Sequence, residues 1–574
     1  MKPSGQRNSL ILAVASILIG SFFSFSVFKS AIVPTNIDWL LGRIDPSQHH
    51  LGWLLYKNDP NWQFPLTITK SILYPTGLSI AYTDSIPIIA LPLKAFSQAL
   101  KLFGINVIDF QYFGIVLCIN IILQLFFSMK AIELYKKEYG LLIVITGGCL
   151  LALMPSVLRR GFAHIALTSH WILICSLWLY LKQSPRESWQ EVLKPQILLT
   201  AIAAGVHPYI AVMSSFLGMT TCIKFTLLRK KRRHNYRDSL LGITAILLTL
   251  IASWYFFGYF SQGSSAFSGV PFGRYSMNLL SPINSMGFSI VLPQLPTATD
   301  GQYEGFNYLG LGTLLLAASA LALKPKLCIE TIWRKERPLF IACALLSLFA
   351  ISTKVTFGSL RLITIGVPDN IGDFLSTFHS SGRMFWPVSY MISATFISIA
   401  IKSYPRRVLH FILPLLLIIQ YVDLSPLLHS LTQRLETGRV STTVALSGPE
   451  WQDLSASHRK LIVTPSHQCD REQTPTGSFL PFAELAATQN LSINTFKPAR
   501  MGDDIRTIHC KNFQEEVLSG KWDADAAYVF SNELYQQIYP QVHRVNTHEC
   551  SQVDNLTLCK RTGSSVTPTS VNHP

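Results

Sequence analysis

Long apolar runs separated by short polar loops occupy the first three quarters of the chain. The first run, Leu10–Phe28, is followed by no small-residue cleavage pattern, so it is expected to remain as an uncleaved signal anchor. The runs predict membrane-spanning helices. The later ones lie near Ile108–Ser128, Leu141–Leu158, Ile165–Leu181, Ile197–Phe225, Ser239–Phe260, Leu309–Leu323, Leu339–Ser352, Met384–Ile401 and Val408–Leu424.

Two stretches allow more than one arrangement. Ser85–Phe103 carries two lysines and a glutamine, so it fits either a span or a helix lying flat in the interface. Ile197–Phe225 is interrupted by His207-Pro208-Tyr209, which fits one kinked span or two short ones. Loop charge decides, because Lys and Arg favour the cytoplasmic side. A flat helix and two short spans place residues 130–138 and 182–194 inside and 158–164 outside.

This arrangement predicts a polytopic α-helical membrane protein with about eleven spans and a cytoplasmic N-terminus. Residues 1–424 form the transmembrane domain, with a long first extracytoplasmic loop at 30–107. Residues 425–574 form an extracytoplasmic domain in which strand-like and helix-like segments alternate, and this favours an α/β fold with a flexible end after about residue 561.

Four of the ten cysteines lie in this tail, at 469, 510, 550 and 559. An even set in an oxidising compartment predicts disulfides, and of the three possible connectivities Cys469–Cys510 with Cys550–Cys559 is favoured. No CxxC pair, Walker loop or HExxH motif occurs in the sequence.

Composition supports the membrane assignment. Of 574 residues, 49% are hydrophobic and 14% are charged, whereas about a quarter of a soluble protein's residues are charged. The net charge of +16 does not indicate nucleic-acid binding, because the basic residues collect in loops between apolar runs.

Eight motifs carry a resemblance to a known family. In chain order they are DPSQHHLGW, TDSIPIIAL, DFQYFG, HIALTSHW, HPY, FNYLGLG, SSGRMFWP and NTFKPAR. They resemble an uncharacterised bacterial family of multi-spanning proteins with the architecture of the GT-C glycosyltransferases, over roughly residues 36–560. GT-C enzymes transfer sugar from a polyprenyl phosphate carrier. The resemblance therefore implies an inverting membrane glycosyltransferase of the bacterial inner membrane, with a periplasmic C-terminal domain and a glycan, lipid or protein acceptor.

The resemblance places the first-loop acid of GT-C enzymes at Asp45, which is expected to act as the catalytic base. The alternative is that Asp45-Pro46 caps a helix. His49, one helical turn later, is expected to bind acceptor or, with Asp45, a divalent Mg²⁺ or Mn²⁺ ion; a plain hydrogen-bonding role is the alternative. Asp84 is the second candidate carboxylate, with a helix N-cap as its alternative role. No cofactor is certain from these residues.

Other polar residues at the predicted outer ends of spans are expected to bind substrate or phosphate. Arg383 is the main candidate for the leaving phosphate, with headgroup anchoring as the alternative. Glu304 is expected to pair with one of the arginines or to be structural. The remaining members of this group are Arg159, Arg160, His164 and His207.

Two other classes of protein fit the same features. A polymerase or ligase of lipid-linked glycans would also need external arginines and histidines, but it would more naturally carry its chemistry in a large late loop. A transporter or flippase of lipid-linked sugars would place polar residues near the bilayer midplane and often shows repeated halves. No repeat is visible, and the polar motifs collect at one face.

Overall fold

The structure is a computed structural model that describes residues 3–105, 107–135, 140–228, 235–263, 271–330, 336–440, 446–543, 545 and 547–562. Parts of the predicted cytoplasmic loops at 136–139, 229–234 and 331–335, residues 264–270 of the long external loop, and the predicted flexible end after 562 lie outside the described residues. The chain divides into two compact units. The first unit comprises residues 1–39, 110–254 and 267–438, and the second comprises residues 40–109, 255–266 and 439–574.

Helices dominate the described chain. Those before residue 260 are α1, Pro3–Phe28; α2, Ile44–Asn58; α3, Pro87–Leu102; α4, Phe113–Glu133; α5, Leu141–Ala152; α6, Pro155–Arg160; α7, Trp171–Leu181; α8, Trp189–Val206; α9, Pro208–Leu228; and α10, Asn235–Phe256. The later ones are α11, Leu311–Leu323; α12, Pro325–Ile329; α13, Arg337–Ile351; α14, Asp369–Ser376; α15, Trp386–Ser403; α16, Arg406–Asp423; α17, Ser425–Glu436; α18, Leu480–Gln489; α19, Asp503–Arg506; α20, Gln514–Leu518; and α21, Asn532–Val542. A π-helix occupies Thr507–Phe513.

The first unit is a helical bundle in which α4 packs against α1, α5 and α7, and α16 packs against α5 and α11. Close contacts set this packing. At Gly114 in α4, an added Cβ would lie 1.8 Å from the carbonyl oxygen of Ala31, so the helix can approach the chain after α1 only with glycine there. The Gln111 amide donates to the carbonyl oxygens of Ala31 and Val33 and fixes the same junction.

Five helices in the described part of the chain are long and apolar enough to cross a membrane, or six if the bent pair Arg406–Asp423 and Ser425–Glu436 counts as one span. The five segments are Asn8–Ile32, Phe113–Glu133, Pro208–Leu228, Tyr236–Phe256 and Ser381–Ser403. Shorter apolar helices lie at Leu141–Ala152, Ile165–Leu181, Leu311–Leu323 and Arg337–Ile351. The chain is therefore a helical membrane protein.

The chain breaks at His207, as the sequence suggested. Its backbone is extended, with φ −166° and ψ 139°, so α8 ends at Val206 and α9 begins at Pro208, and the two helices pack together. Because proline has no N–H to give to the preceding turn, it starts the second helix more readily than it continues the first.

Helix α3, within the predicted flat segment Ser85–Phe103, is not among the five helices long enough to span. Its polar residues bond to the loop that follows α2. Lys94 Nζ donates to the Asn61 carbonyl at 3.0 Å, and the Gln98 side chain receives the indole N–H of Trp62 at 2.5 Å. Burial lowers the pKa of Lys94 to about 8, against the raising effect of Asp59. The polar residues that made this stretch ambiguous thus attach it to the second unit.

Strands lie in both units: β1, Ile68–Thr69; β2, Leu78–Ser79; β3, Lys354–Phe357; β4, Leu360–Thr364; β5, Lys460–Thr464; β6, Ser492–Ile493; β7, Ala526–Ser531; β8, His548–Val553; and β9, Leu556–Arg561. In the second unit, five of them form a mixed sheet of order β6-β5-β7-β9-β8, in which β5 is parallel to β6 and β7. The tail is thus an α/β domain. It contains the disulfides Cys469–Cys510 and Cys550–Cys559, which is the favoured connectivity.

The first loop belongs to the same unit as this α/β domain. Ile72 forms a parallel bridge with Ile493, Tyr74 donates its backbone N–H to the Ile493 carbonyl at 2.9 Å, and Ile493 donates to the Ser71 carbonyl at 3.0 Å. The loop therefore extends the sheet at its β6 edge. Helix α2 also packs against α18. The sequence analysis assigned the first loop and the C-terminal α/β segment to separate domains.

Candidate functional site

Asp45 lies in the first turn of α2, in the second unit. The start of this helix is fixed by Ser47, whose hydroxyl accepts the Arg43 N–H at 3.2 Å and donates to the Leu40 carbonyl at 2.9 Å. The N-cap residue is Arg43, without a side-chain cap, so the alternative role of Asp45 as a helix cap is wrong. The Asp45 side chain is 37% exposed, and its carboxylate lies 3.5 Å from Lys497 Nζ.

His49 is buried one turn further along α2, and its Nε2 lies 3.6 Å from Asp84 Oδ2. Asp84 follows the 3₁₀ turn Ile80–Thr83 in the left-handed conformation, with φ 55°. The N-cap of α3 is Ile86, so Asp84 does not cap that helix. The Ser85 hydroxyl donates to the His49 carbonyl at 2.8 Å and joins the two segments. The histidine and the second candidate carboxylate therefore face each other.

The pair His49 and Asp84 suits a divalent metal ion better than the predicted pair Asp45 and His49. His49 and Asp84 offer a nitrogen and a carboxylate oxygen close together, which are donors suited to a divalent metal. Asp45, which the sequence paired with His49, instead has a lysine ammonium group next to it, and a cation there opposes a metal ion.

In the first unit, Glu304 lies between two arginines. Its Oε2 accepts Arg160 Nη1 at 2.8 Å, Arg383 Nε at 2.9 Å and Arg383 Nη2 at 2.7 Å, and all three residues are buried. Burial alone would raise the pKa of Glu304, but the charges of Arg160 and Arg383 hold it well below its ordinary value. Burial lowers the pKa of Arg160 to about 10, although Glu304 acts in the opposite direction. Glu304 thus pairs with both arginines.

The other candidates of the first unit lie around this cluster. The Arg159 guanidinium lies 5.0 Å from the ring centre of Phe162 and 5.5 Å from that of Phe288. His164 donates its backbone N–H to the Arg160 carbonyl at 3.0 Å. His207 Nδ1 accepts the Tyr209 N–H at 3.2 Å, at the start of α9.

Sequence reasoning missed two residues of the second unit. His50 is completely buried, and burial lowers its pKa to about 4, so it is neutral near pH 7. Lys497 has no assigned role in the sequence reasoning; its signal was its place in the motif NTFKPAR.

The family model described as "Domain of unknown function (DUF6311)" matches residues 17–425, and the model "DUF6311 C-terminal domain" matches residues 450–561. No curated protein matches the sequence.

Among solved structures, ArnT from Cupriavidus metallidurans bound to undecaprenyl phosphate is similar with a TM-score of 0.50 and 10% identity, over 95% of this chain and 98% of that chain. The apo state of the same protein gives 0.47 and 10%, over 95% and 97%. The Archaeoglobus fulgidus oligosaccharyltransferase in complex with Zn and sulfate gives 0.40 and 11%, over 93% and 71%. The first likeness shows a shared fold, so the predicted GT-C-like architecture is confirmed.

Proposed function

This chain belongs to the family described as a domain of unknown function, DUF6311, and we propose that it is a membrane glycosyltransferase that moves a sugar from a polyprenyl-phosphate carrier to an extracytoplasmic acceptor. The acceptor class is a glycan, a lipid or a protein hydroxyl. The proposal joins the fold shared with ArnT, which is described as bound to undecaprenyl phosphate, to the acids of the first loop.

The observation that carries the proposal is the state of Asp45. Its carboxylate caps no helix and is about one third exposed, so it is accessible to a substrate hydroxyl. In the proposed reaction this carboxylate takes the acceptor's hydroxyl proton while the acceptor oxygen bonds to the sugar C1. The C1–O bond to phosphate breaks at the same time, and the polyprenyl phosphate leaves with the electron pair, which inverts the anomeric centre.

His49 and Asp84 have a supporting role in this proposal. The carboxylate of Asp84 beside Nε2 favours one orientation of the buried imidazole, as carboxylates commonly do for histidine. His49 then serves as a hydrogen-bonding partner of the acceptor, or with Asp84 as a ligand of Mg²⁺ or Mn²⁺. Transfer measured with and without a chelator separates these two roles.

For the leaving phosphate, Arg159 is a better candidate than Arg383. The charges of Arg383 and Arg160 already face one buried carboxylate, whereas Arg159 is held against two phenylalanine rings. A charge-assisted contact contributes about 1.5–3 kcal/mol, so Arg159→Met is expected to raise the donor KM by about tenfold or more. Arg274→Met, which removes an exposed arginine paired with Asp300, is the control. An unchanged donor KM in Arg159→Met would exclude this role.

Radiolabelled sugar transfer in vesicles, with a panel of polyprenyl-phosphate sugars, tests the function. Asp45→Asn should lower turnover about 10²–10⁴-fold, the usual contribution of a general base, while the protein stays folded. The exposed Asp38, in the first unit, provides the control substitution Asp38→Asn. Sugar movement across the membrane without transfer would indicate a flippase instead. Linkage of whole lipid-linked glycans would indicate a polymerase or ligase.

We also propose that the N-terminus is cytoplasmic, that the chain has about eleven spans and that the C-terminal domain is extracytoplasmic. A membrane-impermeant maleimide should then label a cysteine at the exposed Ser519 in cells, but not one at the exposed Arg186. The reverse labelling pattern would overturn this orientation.

A further inference from the structure

The motif NTFKPAR, residues 494–500, consists of two parts with different surroundings. Asn494, Thr495 and Phe496 are buried in the α/β domain. The Asn494 side chain bonds to both backbone groups of Val463 in β5, accepting the N–H at 2.7 Å and donating to the carbonyl at 2.9 Å. The first part of the motif is therefore fixed to β5, the neighbour of the edge strand β6.

Two further segments hold the backbone of the same part. Gln468 Nε2 lies 2.8 Å and His509 Nε2 lies 2.7 Å from the Asn494 carbonyl oxygen, to which both donate. Each donor precedes a cysteine of the Cys469–Cys510 disulfide, which thus joins the two segments that support this carbonyl. Two side chains thus hold the Asn494 carbonyl, and this fixes the position of the residues that follow it in the motif.

The second part of the motif meets the first loop. Ala499 donates its backbone N–H to the Tyr82 carbonyl at 2.9 Å, and Gln48 of α2 donates its amide to the same oxygen at 3.2 Å. Between these fixed points, Lys497 extends to Asp45 at 3.5 Å. The side chains are 43% and 37% exposed, so the contact is reachable by substrate and is not part of a packed core.

We propose that Lys497 is a positioning residue for Asp45, supplied by the C-terminal domain. The inference rests on the proposed function, in which Asp45 is the base. The ammonium group holds the carboxylate in one orientation while the carboxylate accepts the hydroxyl proton. Lysine itself exchanges no proton and forms no bond in the step. Lys497 belongs to the C-terminal domain and follows Asp45 by more than 400 positions. By orienting the base of the first loop, it gives the C-terminal domain a role in the reaction.

The kinetic test uses the full-length protein in vesicles and compares Lys497→Met, Lys497→Arg, Asp45→Asn and the double variant Asp45→Asn/Lys497→Met. An exposed ion pair contributes modestly, so Lys497→Met should lower kcat about two- to fivefold, leave the donor KM unchanged, and be largely rescued by Lys497→Arg. In the Asp45→Asn background, Lys497→Met should have no further effect, because a residue that acts through Asp45 has nothing left to orient.

Lys29→Met is the matched control. Lys29 is 44% exposed and lies 2.8 Å from Glu436, so it tests the loss of a similar ion pair in the first unit, and its kcat should equal that of the unsubstituted protein. An equal decrease of kcat by Lys497→Met with and without Asp45 would overturn the positioning role. A rise in donor KM would overturn it as well, since it would indicate that Lys497 binds substrate.

A readout without catalysis separates this inference from the proposed function. In Asp45→Asn, acylation of Lys497 by an amine reagent, followed by mass spectrometry, should become about twofold faster because the carboxylate no longer holds the ammonium group. Lys29 should react equally in both proteins. An unchanged Lys497 rate would refute the contact. Absence of transfer by the unsubstituted protein with every donor would instead refute the proposed function.

Discussion

Replacement of Glu304 by glutamine removes one negative charge from between two buried arginines and changes almost nothing in shape. The carboxylate oxygen Oε2 accepts three N–H groups, one from Arg160 and two from Arg383, at 2.7–2.9 Å. Glutamine keeps one acceptor oxygen for these N–H groups, but it carries no negative charge. The variant therefore leaves two buried positive charges without their anion.

The size of the effect follows from this arrangement. Removing one partner of a buried ion pair costs about 3–5 kcal/mol, because the other charge stays buried without compensation. A neutral hydrogen bond to the glutamine oxygen returns about 1 kcal/mol. We expect Glu304→Gln to lower the free energy of unfolding by about 2–4 kcal/mol. The arginine charges hold the pKa of Glu304 well below its ordinary value. The stabilisation by the Glu304 carboxylate is therefore complete at a pH above the ordinary pKa and is lost as the pH falls through the lowered pKa.

A thiol-reactive fluorophore measures the loss, because unfolding exposes free cysteines that are buried in the described chain: Cys149, Cys175, Cys222 and Cys343. The matched control is Asp300→Asn, which removes a carboxylate that is 74% exposed and lies 2.7 Å from Arg274, and an exposed pair contributes about 1 kcal/mol or less. Equal unfolding midpoints for Glu304→Gln and Asp300→Asn would refute the view that one carboxylate neutralises both arginines.

Three other predictions concern single structural features. Removing the disulfide with Cys469→Ser/Cys510→Ser should lower the stability of the C-terminal domain by about 2–5 kcal/mol, measured by hydrogen exchange in the full chain, and unchanged exchange around the two serines would count against it. Gly114→Ala should destabilise the bundle because its Cβ meets a backbone carbonyl, whereas Gly366→Ala, with nothing within 4 Å, should be neutral in the same thiol assay. Burial lowers the pKa of His509 to about 4, against the raising effect of its hydrogen bond, so the unfolded chain binds the proton more tightly and stability should fall as the pH drops from about 6.5 towards 4. His509→Gln keeps a donor but does not titrate, so it should remove that dependence. An equal pH dependence of hydrogen exchange in the variant and in the unsubstituted protein would contradict this prediction.

The sequence predicted the helices well where one physical rule dominates. Apolar runs long enough for a bilayer became helices, and the proline after His207 separated α8 from α9. The sequence predicted the helices less well where an apolar run is short and packing against other helices also decides its structure. The helices at Leu141–Ala152 and Leu311–Leu323 are shorter than a bilayer needs, and an apolar run alone cannot tell a short span from a buried core helix.

The partners of charged residues were the least predictable part. Glu304 is 144 residues from Arg160 and 79 from Arg383, and a single sequence carries no signal for which of several arginines a carboxylate meets. The sequence also assigned Asp45 and Asp84 possible roles as helix caps, because aspartate before a proline-containing helix start commonly has that role. Arg43 and Ile86 take those positions instead, so both carboxylates are left for other contacts.

The division of the chain at residue 424 followed the fall in hydrophobicity, and hydrophobicity reports burial in lipid rather than which polar segments fold together. Residues 71–74 of the first loop instead continue the sheet of the C-terminal domain through Ile493, and NTFKPAR continues from that same strand to Lys497. One short strand thus holds the loop on one side and leads to the lysine beside Asp45. A substitution that loosens this strand should therefore disturb the proposed base without touching it. Asn494→Ala removes both side-chain bonds to Val463 and should reproduce the kcat loss of Lys497→Met. If this variant shows greater hydrogen exchange at residues 492–500 but normal turnover, the order of this strand and the action of Asp45 are independent.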